Sequence, residues 1–88
     1  MKVIVYTLEG CQHCLDLKNR LNKLSIPYIE REISKNRSEW ESVVTQTKKD
    51  LLPSVYVGED DVGNGVYYIP ERDFQDLDSV VELIKNTI

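Results

Sequence analysis

The run Val3-Ile4-Val5-Tyr6 is β-branched and aromatic, and past the breaker Gly10 the hydrophobic period changes. Cys14, Leu17, Leu21 and Leu24 fall three and four residues apart, the spacing of one stripe on a helix. Asp16, Lys18, Arg20 and Lys23 lie off that stripe. A buried strand over 2–7 therefore feeds a helix from Cys11 to about Leu24, and Pro27 ends the helical pattern. Tyr28, Glu30 and Glu32 then alternate with Ile29, Arg31 and Ile33, which reads as a second strand with Arg31 on its apolar side. A strand-helix-strand unit joins parallel strands by a right-handed crossover, with helices covering the sheet. The carboxyl end of the first strand is then where sites in open α/β sheets are built.

Asn36 or Ser38 is positioned to cap a second helix running to about Lys49, with Trp40, Val43, Val44 and Thr47 inward. Trp40 is expected in the core or a groove rather than on a ligand. Leu51-Leu52-Pro53 breaks this helix, and Ser54 to Val57 forms a third strand. The turn-rich residues 58–65 lead to a fourth strand, Val66 to Ile69, in an antiparallel hairpin. Its Tyr67 and Tyr68 point to opposite faces. Pro70 opens the last helix, Glu71 and Asp73 suit the positive end of its dipole, and Phe74, Leu77, Val80, Val81 and Ile84 form its buried face. The expected architecture is α/β: one domain over 1–88, ordered β-α-β-α-β-β-α, with a four-stranded mixed sheet flanked by three helices.

Composition narrows the function. Val, Ile, Leu and Phe make up 27 of 88 residues, enough for one small core. A net charge of −4 speaks against a nucleic-acid partner. The longest apolar run is about four residues, far below a membrane span. Met1-Lys2-Val3 opens no secretory signal, so a cytoplasmic protein is expected.

The two cysteines, Cys11 and Cys14, enclose Gln12 and His13. A bridge across so short a loop constrains the unfolded chain little. Structural zinc needs four ligands, and the single histidine lies between the cysteines. A dithiol that opens and closes is the favoured reading over metal binding or inert thiols. At the start of a helix, the Cys11 sulfur faces unpaired N–H groups and the positive end of the dipole, which favours its thiolate. Gln12 keeps an N–H that proline would lack. Cys14 lies one turn on and more buried, so Cys11 is expected to attack and Cys14 to resolve. His13 is expected to be largely neutral and to tune the couple modestly. The backbone of Leu52 is expected to pair with a substrate chain as an added strand.

Strand, then Tyr6-Thr7-Leu8-Glu9-Gly10-Cys11-Gln12-His13-Cys14 opening a helix, then Leu52-Pro53-Ser54-Val55 before a hairpin, resembles the glutaredoxin family. It is also similar to the glutaredoxin-sized hydrogen donors of ribonucleotide reductase. The resemblance implies a thioredoxin-like fold, with Pro53 as a cis-proline facing the dithiol. It implies a thiol–disulfide oxidoreductase that holds no permanent cofactor and takes glutathione as co-substrate. Its partners would be disulfide-containing proteins, ribonucleotide reductase among them, and glutathione or a flavoprotein disulfide reductase, with the protein a monomer. Tyr6 and Thr7 would shape the rim of the site. The chain departs from the family's glutathione contacts at Leu8, where Lys or Arg is usual, and at Leu51-Leu52, where Thr-Val is usual. Gly63-Asn64 or the segment ending in Asp73 stands where Gly-Gly-x-Asp is usual, and residues 58–78 carry seven acids and one arginine, against nearby Lys48 and Lys49. The acids at 59–61 read as a solvated turn. A glutathione-dependent iron–sulfur cluster carrier, a non-catalytic domain of the same fold and a disulfide-forming oxidant are the rival readings.

Overall fold

The chain is described here from a computed structural model that covers residues 1–59 and 65–88. Val3 to Thr7 are all buried, which marks the first strand, β1 (Lys2–Thr7), as the centre of the sheet. The elements that follow are α1 (Gln12–Lys23), β2 (Ile29–Glu32), α2 (Arg37–Thr47), β3 (Ser54–Gly58), β4 (Val66–Tyr68) and α3 (Leu77–Thr87). The four strands lie in the order β2-β1-β3-β4. β1 runs parallel to β2, with Ile4 opposite Ile29, and antiparallel to β3, with Tyr6 opposite Ser54. β3 and β4 are antiparallel, as the hairpin reading required.

The period of two along β1 assigns the helices to faces. Val3 and Val5 pack with Leu17 and Leu21 of α1 and with Val80, Val81 and Ile84 of α3. Ile4 and Tyr6 point the other way, onto Val43 of α2 and Tyr56 of β3. Tyr68 joins the first cluster and Tyr67 the second, so these neighbours do face opposite sides. Arg31, out of place on the apolar side of β2, is paired with Glu39 of α2. Trp40 is half-buried, with its ring centroid 5.5 Å from that of Tyr6. Val43 and Thr47 are buried, while Val44 is only partly so.

The helix ends differ from the sequence pattern. Leu24 does not continue the buried stripe and is 50% exposed. The helix closes instead by donating Ser25 N–H to the Asn22 carbonyl and Ile26 N–H to the Leu21 carbonyl, with Ser25 left-handed. This reversal lays Ile26, rather than Leu24, over Leu21 in the core. The last helix starts at Leu77 rather than Pro70. Ile69 N–H donates to the Asp73 carboxylate, Glu71 is left-handed, and Asp73 N–H donates to the Ile69 carbonyl, so 69–74 form a clamped loop. Asp76 caps the helix by accepting from Ser79 N–H at 2.8 Å. Phe74 is buried from that loop and not from a helix face. α2 begins after Asn36, whose side chain donates to the Glu32 carbonyl rather than capping. Glu59 is exposed, whereas Asp60, Asp61, Gly63 and Asn64 lie outside the described residues.

At the far end of the hairpin, Gly65 packs without room for a side chain. A Cβ there would meet the Val57 carbonyl oxygen and sit 2.8 Å from Gly58 Cα. Gly65→Ala is therefore expected to lower unfolding stability by about 1–3 kcal/mol through overpacking. Urea denaturation checks this, with a lower midpoint at unchanged slope as the expected result.

Candidate active site

The end of β1 and the start of α1 fix the two cysteines. Gly10 is left-handed at φ 86°, and Cys11 N–H donates to the Leu8 carbonyl at 3.0 Å, which turns the chain sharply out of the strand. Cys11 is then the capping residue of α1 with an extended backbone, one position earlier than the first helical residue. Its sulfur accepts from Cys14 N–H at 3.2 Å, the place that a serine or aspartate oxygen takes in most helix caps. Cys11 and Cys14 form a disulfide with Cα atoms 5.3 Å apart. Cys11 is half-buried and Cys14 is 1% exposed, so the outer sulfur belongs to Cys11. Gln12 is exposed, and its amide donates to Asp16 at 2.9 Å.

Two clefts flank this turn. The larger, about 740 Å³, is lined by Cys11, Cys14, Thr7, Lys18 and Glu30 among others. Glu30 accepts from Thr7 Oγ1 at 2.7 Å and from Lys18 Nζ at 2.8 Å. The Lys18 bond, and then the Thr7 bond, hold the Glu30 carboxyl below its ordinary 4.5. The second cleft, about 400 Å³, brings His13 together with Leu52, Pro53, Phe74 and Asp76. The Leu52–Pro53 peptide is cis, as the resemblance implied. Pro53 directly precedes Ser54, which pairs with Tyr6, so it lies beside the end of β1.

Two residues expected at the site are elsewhere. Tyr6 is fully buried on the α2 face, where its hydroxyl donates to Glu39 at 2.5 Å. Burial first, and then that hydrogen bond, pushes its phenol upward, so it stays protonated. Strand alternation explains the miss: Thr7, not Tyr6, shares the face of α1. Asp73 spends its carboxylate on Ile69 N–H and Arg72 and does not line the Pro53 groove. Asp76 does line it, three residues further on, and the Ser79 backbone bond first holds its carboxyl low. An Asp-x-x-Ser pattern ahead of the apolar run was the available signal. Glu30 and Lys18 were also missed, because only the crossover brings residues 12 apart in sequence to one cleft.

Among the described residues, no group of three or more His, Cys, Asp or Glu is arranged to hold a metal ion, and no helix is long and apolar enough to cross a membrane. The glutaredoxin family model matches residues 3–62. The chain belongs to the glutaredoxin family. Solved structures agree on the fold. A thioredoxin-like protein superposes with a TM-score of 0.69 at 20% identity, covering 99% of this chain and 100% of that one. A buckwheat glutaredoxin–glutathione complex gives 0.64 at 18% identity, covering 96% and 68%. The holo form of glutaredoxin C1 from Populus tremula x tremuloides gives 0.62 at 20% identity, covering 96% and 74%. No curated protein matches the chain. Family and fold support a thiol–disulfide oxidoreductase, and a Cys11–Cys14 pair is present.

The Glu30 contacts carry a pH signature. A carboxyl held below 4.5 in the folded state adds stability above pH 4.5 and loses it as the pH falls through the depressed value. The Glu30 side chain is 39% exposed, so solvent screening limits the effect to about 0.5 kcal/mol. Glu30→Gln is expected to flatten the loss of stability below pH 4.5, measured by urea midpoints across an acid series. Identical acid limbs in the two proteins would remove the ion pair from the account.

Proposed function

We propose that the protein reduces protein disulfides and glutathione mixed disulfides through Cys11 and Cys14. The observation that carries this is the Cys11 sulfur, which caps α1 and accepts the Cys14 N–H. When the bridge is open, that N–H and the helix dipole favour the Cys11 thiolate over the neutral thiol. The thiolate attacks one sulfur of the substrate disulfide, forms a mixed disulfide with it and expels the other substrate sulfur as a thiolate. Cys14 gives up its proton and attacks the Cys11 sulfur, which expels the second substrate thiolate and restores the Cys11–Cys14 bond. Two electrons pass to the substrate, and the two substrate thiolates take up protons. Two molecules of glutathione, or a flavoprotein disulfide reductase, return the electrons to the dithiol. With a glutathionylated substrate, the Cys11 thiolate attacks the glutathione sulfur and expels the substrate thiolate. A second glutathione then attacks the Cys11-bound glutathione, which releases oxidised glutathione and the Cys11 thiolate without Cys14.

Leu52 and the cis Pro53 border the groove where a substrate segment would lie, with the Leu52 backbone offered as a strand partner. His13 lines this groove and Gln12 the opposite cleft, which supports a tuning role for both. Ribonucleotide reductase fits the class of disulfide-bearing partner. A cytoplasmic monomer with no resident cofactor is the working form. The cluster reading is weaker, because it needs glutathione held at the site, and Leu8 and Leu51-Leu52 stand where the family's glutathione contacts are usual.

Single-cysteine variants test the order of attack. Cys11→Ser is expected to abolish reduction of both insulin and a small glutathione mixed disulfide. Cys14→Ser is expected to accumulate a mixed disulfide at Cys11 and to keep activity only on the glutathione substrate. Iodoacetamide alkylation against pH should give Cys11 a midpoint below the free-cysteine value of about 8.5. A midpoint at that value would remove the helix tip from the mechanism. Repeating the titration with His13→Ala measures the tuning: superimposable curves would take His13 out of it.

A further inference from the structure

The groove beside Pro53 is apolar at its base and acidic at its walls. Pro53 and Phe74 are buried, Leu52 and Leu77 are half-buried, and all four line it. Asp16, Glu71, Asp76 and Asp78 surround this base, and among the described residues the only other charged or titratable lining groups are Arg20 and His13. Arg20 is already paired with Asp78. Asp76 is held ionised by the Ser79 N–H it accepts, while Asp16 and Glu71 have no cationic partner within the groove lining. The acids do not create the groove, whose base is Leu52, Pro53, Phe74 and Leu77 and which meets the dithiol turn at His13. They set the charge of what can lie along it.

From this complementarity we infer that the groove takes cationic protein segments, in which the reactive cysteine is flanked by lysine or arginine and apolar residues, in preference to glutathione. The inference rests on the exchange chemistry proposed above. Glutathione is anionic and brings two carboxylates, and it would lie against Asp16, Glu71 and Asp76. Leu8, just past β1, is exposed and lines the cleft on the Glu30 side, so no cation reaches these acids from there. A peptide with Lys or Arg beside its cysteine places positive charge against the same three carboxylates and lays its apolar residues on Leu52 and Phe74. Rim charges of this kind act mainly on the rate of encounter and are screened by salt.

The test is a single turnover of the pre-reduced protein, which needs no external reductant. Three hexapeptides of basic, neutral and acidic flanks, and glutathione itself, each carry their cysteine as a mixed disulfide with one chromophoric thiol. Cys11 attacks that bond and the released thiol reports the second-order rate. At low ionic strength the basic peptide is expected to react roughly tenfold or more faster than the acidic peptide or glutathione, with the gap narrowing toward unity in molar salt. Asp16→Asn combined with Glu71→Gln is expected to cut the preference by roughly threefold or more. Equal rates for all four substrates, or a preference unmoved by salt in the wild type, would overturn the inference and leave the exchange reading intact. Reaction with none of them would overturn the exchange reading itself.

Discussion

One hydrogen bond, from Cys14 N–H to the Cys11 sulfur, ties the fold to the chemistry. A helix begins with orphan N–H groups that need an acceptor. Here the acceptor is the reactive sulfur, so closing the helix and orienting the nucleophile are a single event. A sulfur is a weaker acceptor than the oxygen usual at a cap, and the turn needs other support. It comes from β1, whose residues Val3 to Thr7 are buried, and from the Leu8 carbonyl that fixes the Cys11 N–H. The rigid strand sets where the helix starts, and the helix start sets where the sulfur lies.

The same strand divides the molecule by parity. Val3, Val5 and Thr7 look toward α1 and α3, whereas Ile4 and Tyr6 look toward α2. Thr7 therefore reaches Glu30 beneath the dithiol, while Tyr6, its neighbour in sequence, serves a separate network with Glu39 and Trp40 on the other side of the sheet. The residue that looked most suited to border the site by proximity in sequence is the one that the pleat turns away. Its buried phenol and the Arg31–Glu39 pair hold α2 in register instead.

Much of this was legible before any coordinates. Continuous apolar runs separated by helical stripes give element order directly, and the spacing of Cys11 and Cys14 across a helix start names the chemistry. Two kinds of information were not. Pro70 and Asp73 both imitate a helix start, and the choice of Asp76 depends on whether Asp73 is already engaged by Ile69 N–H, a tertiary fact. Leu24 continues the helical period, yet the left-handed Ser25 ends the helix and passes its place to Ile26. Pairings such as Lys18 with Glu30 arise only after the crossover folds, so no local pattern announces them.

The two sides of the dithiol differ in how their charge is balanced. On the Glu30 side, the carboxylate has Lys18 and Thr7 as fixed partners, so the field there is answered from within the chain. On the Pro53 side, Arg20 is taken by Asp78, and Asp16 and Glu71 face the groove with no ion pair among the described residues. A charge answered internally stabilises the fold and is indifferent to what binds. A charge left unanswered discriminates among partners, because each arriving group is attracted or repelled before any sulfur is exchanged. The departures at Leu8 and Leu51-Leu52 point the same way, since they remove features suited to a small anionic thiol while leaving the dithiol and its helix tip in place.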